Sequence, residues 1–507
     1  MYYFWSNIRQ RHFPLSIPPE QNTPFTLMSR PKLLGLIGSF SDEEKEQFPL
    51  FLKSPFFLAE NKSEEMLQLF SCYLSAANAP NKELPSNPEL YAAAFGEKSY
   101  SEARLERARA KLSQLVEQFL ITRQYLNEDN SKQQALDFLG VLRRKRLDAH
   151  FQKNLQRIKK DAHENHLESS KQYEFKYRLM LEEHEWSSYF NNGKDSLAIP
   201  DLVQNLDLFY FSERVEFKNR YILQQNLAPF ETQEIFTLEI ENTPLSAYYE
   251  QISPLLAIRK EIHRLFSKSL PEKQDFEKLL DLISLHEHCI SQELIPELYT
   301  YIRNFCTILI NNGHSEIYEV QHKIHQDNLS RGFFYYDGLI PPHAFLNITL
   351  VALSTKNIEW AKHFVTSHRH KIVGKDEIED LYSLCLALCF FEAKQFDLAL
   401  QHLTFPTLYP VFLLQARRLE LKIYFETQSP LLSHKIDAFR KHLERTAQKT
   451  TAISQRDRHL KFVNFLLQLA QSRLKDANRS RQLIKRIEAK KPVADRIWLL
   501  EKAHELG

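Results

Sequence analysis

Glycine is scarce: ten residues in 507, about 2 % against a usual level near 7 %. Gly-rich phosphate loops, tight β-hairpins and doubly wound sheets all consume glycine, because they need positive φ or close backbone approach. That shortage argues against those architectures and leaves an all-α chain. Cysteine is equally thin. The five (Cys72, Cys289, Cys306, Cys385, Cys389) are odd in number and lack C-x-x-C spacing. They read as small core hydrophobes in a reducing compartment, with Cys385 and Cys389 on one buried helix face. A metal site needs more ligands close by, so neither metal nor cofactor is assigned. Apolar runs such as Leu384–Phe391 fall well short of the ~20 residues that span a bilayer. Residues 1–27 hold Arg9, Arg11 and four prolines but no apolar stretch of the kind a signal peptide needs. They are expected to be a disordered extension or an artefact of start-site choice, and the expected location is the cytoplasm. Walker, G-x-S-x-G and G-x-G-x-x-G motifs are absent from the sequence.

Charge of one sign is also lacking overall. The net charge is +2, which gives no bulk argument for nucleic acid. The distribution is uneven, however. Residues 435–491 carry sixteen Lys/Arg against five Asp/Glu, an excess of +11 that leaves −9 for the rest. Arg440, Lys441, Arg445, Arg456, Arg458, Lys461, Arg473, Lys475, Arg479, Lys485 and Arg486 are therefore a candidate basic binding patch for nucleic acid or an acidic partner. A solvated cationic face is the plainer reading. Phe439, Phe462 and Phe465 read as core rather than as a base-stacking platform.

What is present is helical periodicity. Ser41-Asp42-Glu43-Glu44 opens a helix with a capping box, and Lys53-Ser54-Pro55 ends it. Helices follow at 63–77, 89–95 and 101–124, the last with Leu105, Ala108, Leu112, Leu115 and Phe119 on one face. Residues 132–166 read as one long helix with an apolar stripe of Leu139, Leu147, Phe151, Leu155 and Ile158. Arg146, Lys153, Arg157 and Lys160 form a basic stripe opposite, read as a solvated face. Helices at 171–190 and 197–224 come next, the second rich in aromatics (Phe209, Tyr210, Phe211, Phe217, Tyr221) that read as inter-helix core. The expected division is an irregular helical region over 28–228, a proline-rich joint over 229–254 and a repeat region over 255–507. Within the last, helices are expected at 255–267, 276–291 and 296–311, with a loop at 330–342.

The second half repeats itself. Lys356-Asn357-Ile358-Glu359-Trp360-Ala361 aligns with Lys394-Gln395-Phe396-Asp397-Leu398-Ala399 at a displacement of 38 residues, and a weaker match puts Ser433 in the alanine position 34 residues on. Two helices of a hairpin approach closely only where one lacks bulk, which suits Ala361 and Ala399. Ala387 supplies the facing small contact, with Phe390 and Leu403 around it. Ala387, Phe390, Ala399 and Leu403 resemble the tetratricopeptide (TPR) pattern and its 34-residue helix–turn–helix unit, although the usual glycine and terminal proline are absent. Together with Phe51-Leu52-Lys53-Ser54-Pro55-Phe56-Phe57, Asn347…Trp360-Ala361-Lys362-His363-Phe364 and Leu419-Leu421-Lys422-Ile423-Tyr424, the layout resembles uncharacterised TPR-like helical proteins of Bacteroidota over roughly residues 30–475. The resemblance implies an α-solenoid and a bacterial cytosolic setting. It implies no activity and no residue roles.

Histidines offer little chemistry. His163-Glu164-Asn165-His166 lacks one residue of H-E-x-x-H, and His286 and His288 diverge around a helix. His322 and His325 have i,i+3 spacing, which fits a metal only with a third ligand, and are otherwise read as surface residues. His363, His368 and His370 are read with Arg369 and Lys371 as a cationic helix end. The expectation is a non-enzymatic α-solenoid with an extended concave surface that binds a protein or peptide. The alternative is a nucleic-acid-associated helical protein using residues 435–491, with Arg146–Lys160 as a second contact.

Overall fold

The computed structural model describes residues 32–78, 84–96, 99–164, 167–190, 199–227, 242–268, 272–374, 378–403, 410–446, 453–472, 477–490 and 493–507. The expected extension at 1–27 and residues 229–241 of the expected joint lie outside them. The described residues form twenty-three α-helices and short 3-10 turns. They contain no strand, only three isolated bridges. No described helix is long and apolar enough to cross a membrane.

Two compact units are distinguished. One draws on Pro14–Glu164 and Arg178–Ala198, the other on Asn165–Tyr177 and Ile199–Gly507. The first contains α1 (Lys32–Gly38), α2 (Asp42–Lys53), α3 (Glu60–Asn78), α4 (Asn87–Phe95), α5 (Glu102–Leu126), α6 (Ser131–Arg144), α7 (Asp148–Glu164) and the second half of α8 (Ser170–Phe190). The α2 start is the capping box read from sequence: Ser41 Oγ accepts from Glu44 N–H at 3.2 Å and Glu44 Oε2 accepts from Ser41 N–H at 2.8 Å. Its core is aromatic. Phe48 meets Phe70 edge-on at 4.8 Å and Phe119 at 5.1 Å, contacts worth about 0.5–1.5 kcal/mol each beyond burial.

The single helix expected over 132–166 is two. Arg146, with φ 57°, turns the chain between α6 and α7. Leu147 is consequently 42 % exposed instead of joining the apolar stripe, while Leu139, Phe151, Leu155 and Ile158 are buried. Arg146 donates to Tyr189 Oη at 2.7 Å.

The second unit holds the start of α8, then α9 (Ile199–Leu227), α10 (Pro244–Ile252), α11 (Pro254–Ser267), α12 (Lys273–His286), α13 (Ile295–Asn311), α14 (Ile317–Ser330), α15 (Pro342–Ser354), α16 (Ile358–His368), α17 (Ile378–Glu392), α18 (Phe396–Gln401), α19 (Pro410–Glu426), α20 (Leu432–Thr446), α21 (Ile453–Ala470), α22 (Ala477–Ala489) and α23 (Arg496–His504). From α13 onward the helices pair: α13 with α14, α15 with α16, α17 with α18, α19 with α20. The first helices also pack in succession, α15 on α17 and α17 on α19.

One turn closes these pairs. After α17, Lys394 N–H reaches Phe391 O and Gln395 N–H reaches Phe390 O, both at 2.9 Å. The same two bonds recur at Gly313 and His314, at Lys356 and Asn357, and at Gln428 and Ser429. They form a helix C-cap whose central residue is left-handed: φ is 59° at Lys356 and Lys394 and 51° at Gln428. Glycine takes this conformation without the steric cost a side chain brings. Lys394→Gly is therefore expected to stabilise the unit by about 0.5–1 kcal/mol, read as a raised urea midpoint at unchanged slope. A lowered midpoint would show that the exposed Lys394 side chain contributes there.

Ala361, Ala387 and Ala399 have no exposed surface, and all belong to one core with Phe345, Phe364 and Cys385. Ser433 does not follow them. Three residues, Ser429 to Leu431, separate Gln428 from α20, whereas one separates Lys394 from α18. Ser433 is exposed as a result, and Ile436 turns inward.

Candidate functional site: a groove along the paired helices

The second unit carries a groove of about 790 Å³. The first helices α15, α17 and α19 contribute one side chain after another to it, and α23 lines its far end. This follows from the succession in which α15 packs on α17 and α17 on α19. The lining alternates apolar groups (Leu350, Phe412, Trp498) with polar ones (Asn347, Gln415, Lys394).

At the α23 end the groove is cross-linked by charge. Arg418 Nε donates to Asp495 Oδ2 at 2.6 Å, and Lys422 Nζ lies 3.5 Å from Oδ1. Burial raises the Asp495 pKa, but the Lys422 and Arg418 charges outweigh it and hold the carboxyl well below its usual range. His459 Nδ1 accepts from Arg418 at 3.0 Å. Burial, then the nearby Arg418 and Arg458 charges, keep its imidazole neutral. Trp498 Nε1 donates to Glu426 at 2.9 Å, and Lys502 pairs with the same carboxylate at 2.9 Å. Lys422 also sits 4.6 Å from the centre of the Phe391 ring. These pairings fix α23 against α19.

A second charged cluster lies away from the groove lining. Glu216 accepts from Arg220 and from Tyr301 Oη, each at 2.7 Å, and lies 3.5 Å from Arg259. Arg259 donates to Ser170 Oγ at 2.7 Å and to Ser212 O at 3.0 Å. Arg220 also reaches Glu297 at 3.1 Å. Burial raises Glu216, yet a hydrogen bond from Glu297 and the Arg259 and Arg220 charges hold it down. Burial and then the Glu216 charge push Glu297 up, so Glu297 keeps the pair's proton. Sequence reading named none of these residues. Only the Glu216–Arg220 pair, four residues apart on α9, has a local spacing; the other contacts join residues more than forty positions apart.

The histidines read as surface residues are buried. His322 meets Trp360 edge-on at 4.7 Å, and His325 meets Phe334 at 5.4 Å. Both pKa values are lowered, chiefly by burial. Among the described residues no three His, Cys, Asp or Glu side chains gather as a metal-holding group. His368 stacks on Phe364 at 4.8 Å and is depressed by burial, so it adds no charge to the expected cationic helix end. Arg369 pairs with Glu379. Cys385 and Cys389 are buried, and burial pushes the Cys389 thiol up to about 12, far from a reactive thiolate. Of the α9 aromatics Phe211 is buried, but Tyr210 and Phe217 are exposed.

The basic candidates divide between faces. Arg440 donates to Asn464 Oδ1 at 3.2 Å and Arg486 to Gln468 Oε1 at 2.7 Å, so they flank one side of α21. Lys441, Arg445 and Lys485 are exposed on α20 and α22, and Arg456 and Arg479 are half-buried. Arg458 lines the groove instead. Lys461 pairs with Asp457 at 2.7 Å. Arg473 and Lys475 lie outside the described residues.

Comparison with protein-family models, with curated proteins and with solved structures finds no match.

Proposed function

We propose that the chain is a non-enzymatic α-solenoid of TPR-like hairpins, and that the groove along α15, α17 and α19 holds an extended segment of a protein or peptide. The groove is the observation that carries this reading. Its volume falls in the range that takes a ligand of several side chains. Its mixed lining suits a polypeptide, which presents apolar side chains and a polar backbone together. Successive packing of first helices is how helical repeats make a continuous concave face.

The test is co-purification with mass spectrometry on the full chain and two groove variants. Asn347→Trp fills the groove, and Leu350→Glu places a charge on its apolar strip. Wild type is expected to retain a small set of polypeptides that both variants lose at least about tenfold, with melting temperature checked for each. A retained set that neither variant changes would refute the groove as the binding face.

The convergence of Arg440 and Arg486 beside exposed Lys441, Arg445 and Lys485 favours one second reading, nucleic-acid association through α20–α22. Salt-dependent retention on DNA or RNA that is abolished by Arg440→Glu with Arg486→Glu, and untouched by the groove variants, would select it.

A further inference from the structure

Arg303 is a half-buried cation whose Nη1 is out of water, and it has no counter-ion among the described residues. It projects from α13 into a small cavity closed by α14, α15 and the segment between them. Its Nη2 donates to Thr300 Oγ1 at 2.7 Å, and its guanidinium lies 4.5 Å from the centre of the Phe334 ring. Its Nη1 has no hydrogen-bond partner among the described residues. Other buried arginines of this unit have carboxylates: Arg220 and Arg259 share Glu216, and Arg418 has Asp495. None of the thirteen residues lining the Arg303 cavity is an Asp or Glu. Burial lowers its pKa only to about 10, so the group stays charged at neutral pH.

Two further groups in the same cavity are unsatisfied. Asn304 Nδ2 and His325 Nδ1 are buried atoms without a hydrogen-bond partner among the described residues, and His325 is 1 % exposed. An isolated buried charge is costly, and so is each unpaired polar group beside it. A small anion would offset both costs, because charge-assisted bonds from a guanidinium and an amide to oxygen are strong. The cavity encloses about 40 Å³, more than the roughly 10–15 Å³ that one water needs. Its unsatisfied polar groups come from two helices, Arg303 and Asn304 from α13 and His325 from α14.

We propose that the cavity at Arg303, Asn304 and His325 is an oxyanion site that takes phosphate or sulfate. The same chemistry has two sources. The ion can be free, or it can be a phosphate carried on a polypeptide, because the cavity shares Thr307, Gln321, His343 and Asn347 with the groove. Only the second source rests on the peptide-binding reading.

The test is thermal melting and titration calorimetry of the full chain with sodium phosphate or sulfate against sodium chloride at matched ionic strength. These anions also stabilise proteins generally by exclusion from the surface, so saturation and the variant decide. Wild type is expected to show a saturable rise of about 3–5 °C at a hundredfold excess over the dissociation constant. Arg303→Met should lose that rise while melting in chloride no lower than wild type, since Met packs on Phe334 without leaving a charge. Asn304→Leu should weaken the response about tenfold. If inorganic phosphate gives no heat while a phosphoserine peptide binds wild type and not Arg303→Met, the phosphate enters on a chain. No saturable response to any of these probes, or equal responses in wild type and Arg303→Met, would overturn the site and leave buried water as what satisfies these donors.

Discussion

Arg259→Met is expected to cost the second unit about 3–5 kcal/mol, the usual consequence of removing one partner from a buried ion pair. Arg259 and Glu216 are 3 % and 1 % exposed. The substitution leaves Glu216 with Arg220 and the Tyr301 hydroxyl, and leaves Ser170 Oγ and Ser212 O without their donor. The double variant Arg259→Met with Glu216→Met removes both charges and should lose less than the single variant, because apolar replacement of a whole pair is often close to neutral. Chemical denaturation of the three proteins checks this. A single variant within about 0.5 kcal/mol of wild type would mean that the cluster is open to water. The cluster also sets a pH dependence. Glu297 is raised above its unfolded value by burial and by the Glu216 charge, so folding takes up a proton. Its contribution is full below the ordinary carboxylate range and is lost as pH rises through the raised folded value. Melting temperature should therefore fall from mildly acidic to mildly alkaline pH, and Glu297→Gln should flatten that fall.

The second large effect concerns three positions that the sequence repeat makes equivalent. Ala361→Leu and Ala399→Leu are each expected to cost about 1–3 kcal/mol, because three added carbons have no space in a packed interior. Both alanines have no exposed surface. Ser433→Leu is expected to fall within about 0.5 kcal/mol of wild type, because the longer turn before α20 leaves Ser433 exposed. Urea unfolding of the three variants distinguishes a shared register from a broken one. Equal losses at all three would contradict the shift of α20.

These contrasts show what the sequence made legible. Helicity followed from the shortage of glycine, and the α2 start followed from Ser41 and Glu44. The alanines at 361 and 399 marked hairpin contacts because a small residue in a long apolar pattern has few other reasons to recur. The break at Arg146 was not legible, since a left-handed arginine leaves the apolar period almost undisturbed on either side. The buried charges were hidden for a different reason. Glu216 and Arg259 are charged residues that give no sequence sign of burial, and their contacts with each other and with Tyr301, Ser170 and Ser212 join residues more than forty positions apart. His322 and His325, read as surface residues for want of a third metal ligand, are inside as well. Of the candidate groove, the repeat indicated a concave face but not its lining. That lining depends on α23 and the residue before it, whose Trp498 and Asp495 lie beyond the repeated blocks.

The claim that the groove holds a polypeptide is tested most directly by site-specific photo-crosslinking in the cells that make the protein. A photoreactive residue at Gln415 lines the groove. One at Glu359 sits exposed on α16 as the control. The account predicts a polypeptide adduct from Gln415 and none from Glu359. No adduct at Gln415, or one that nuclease removes, would contradict it.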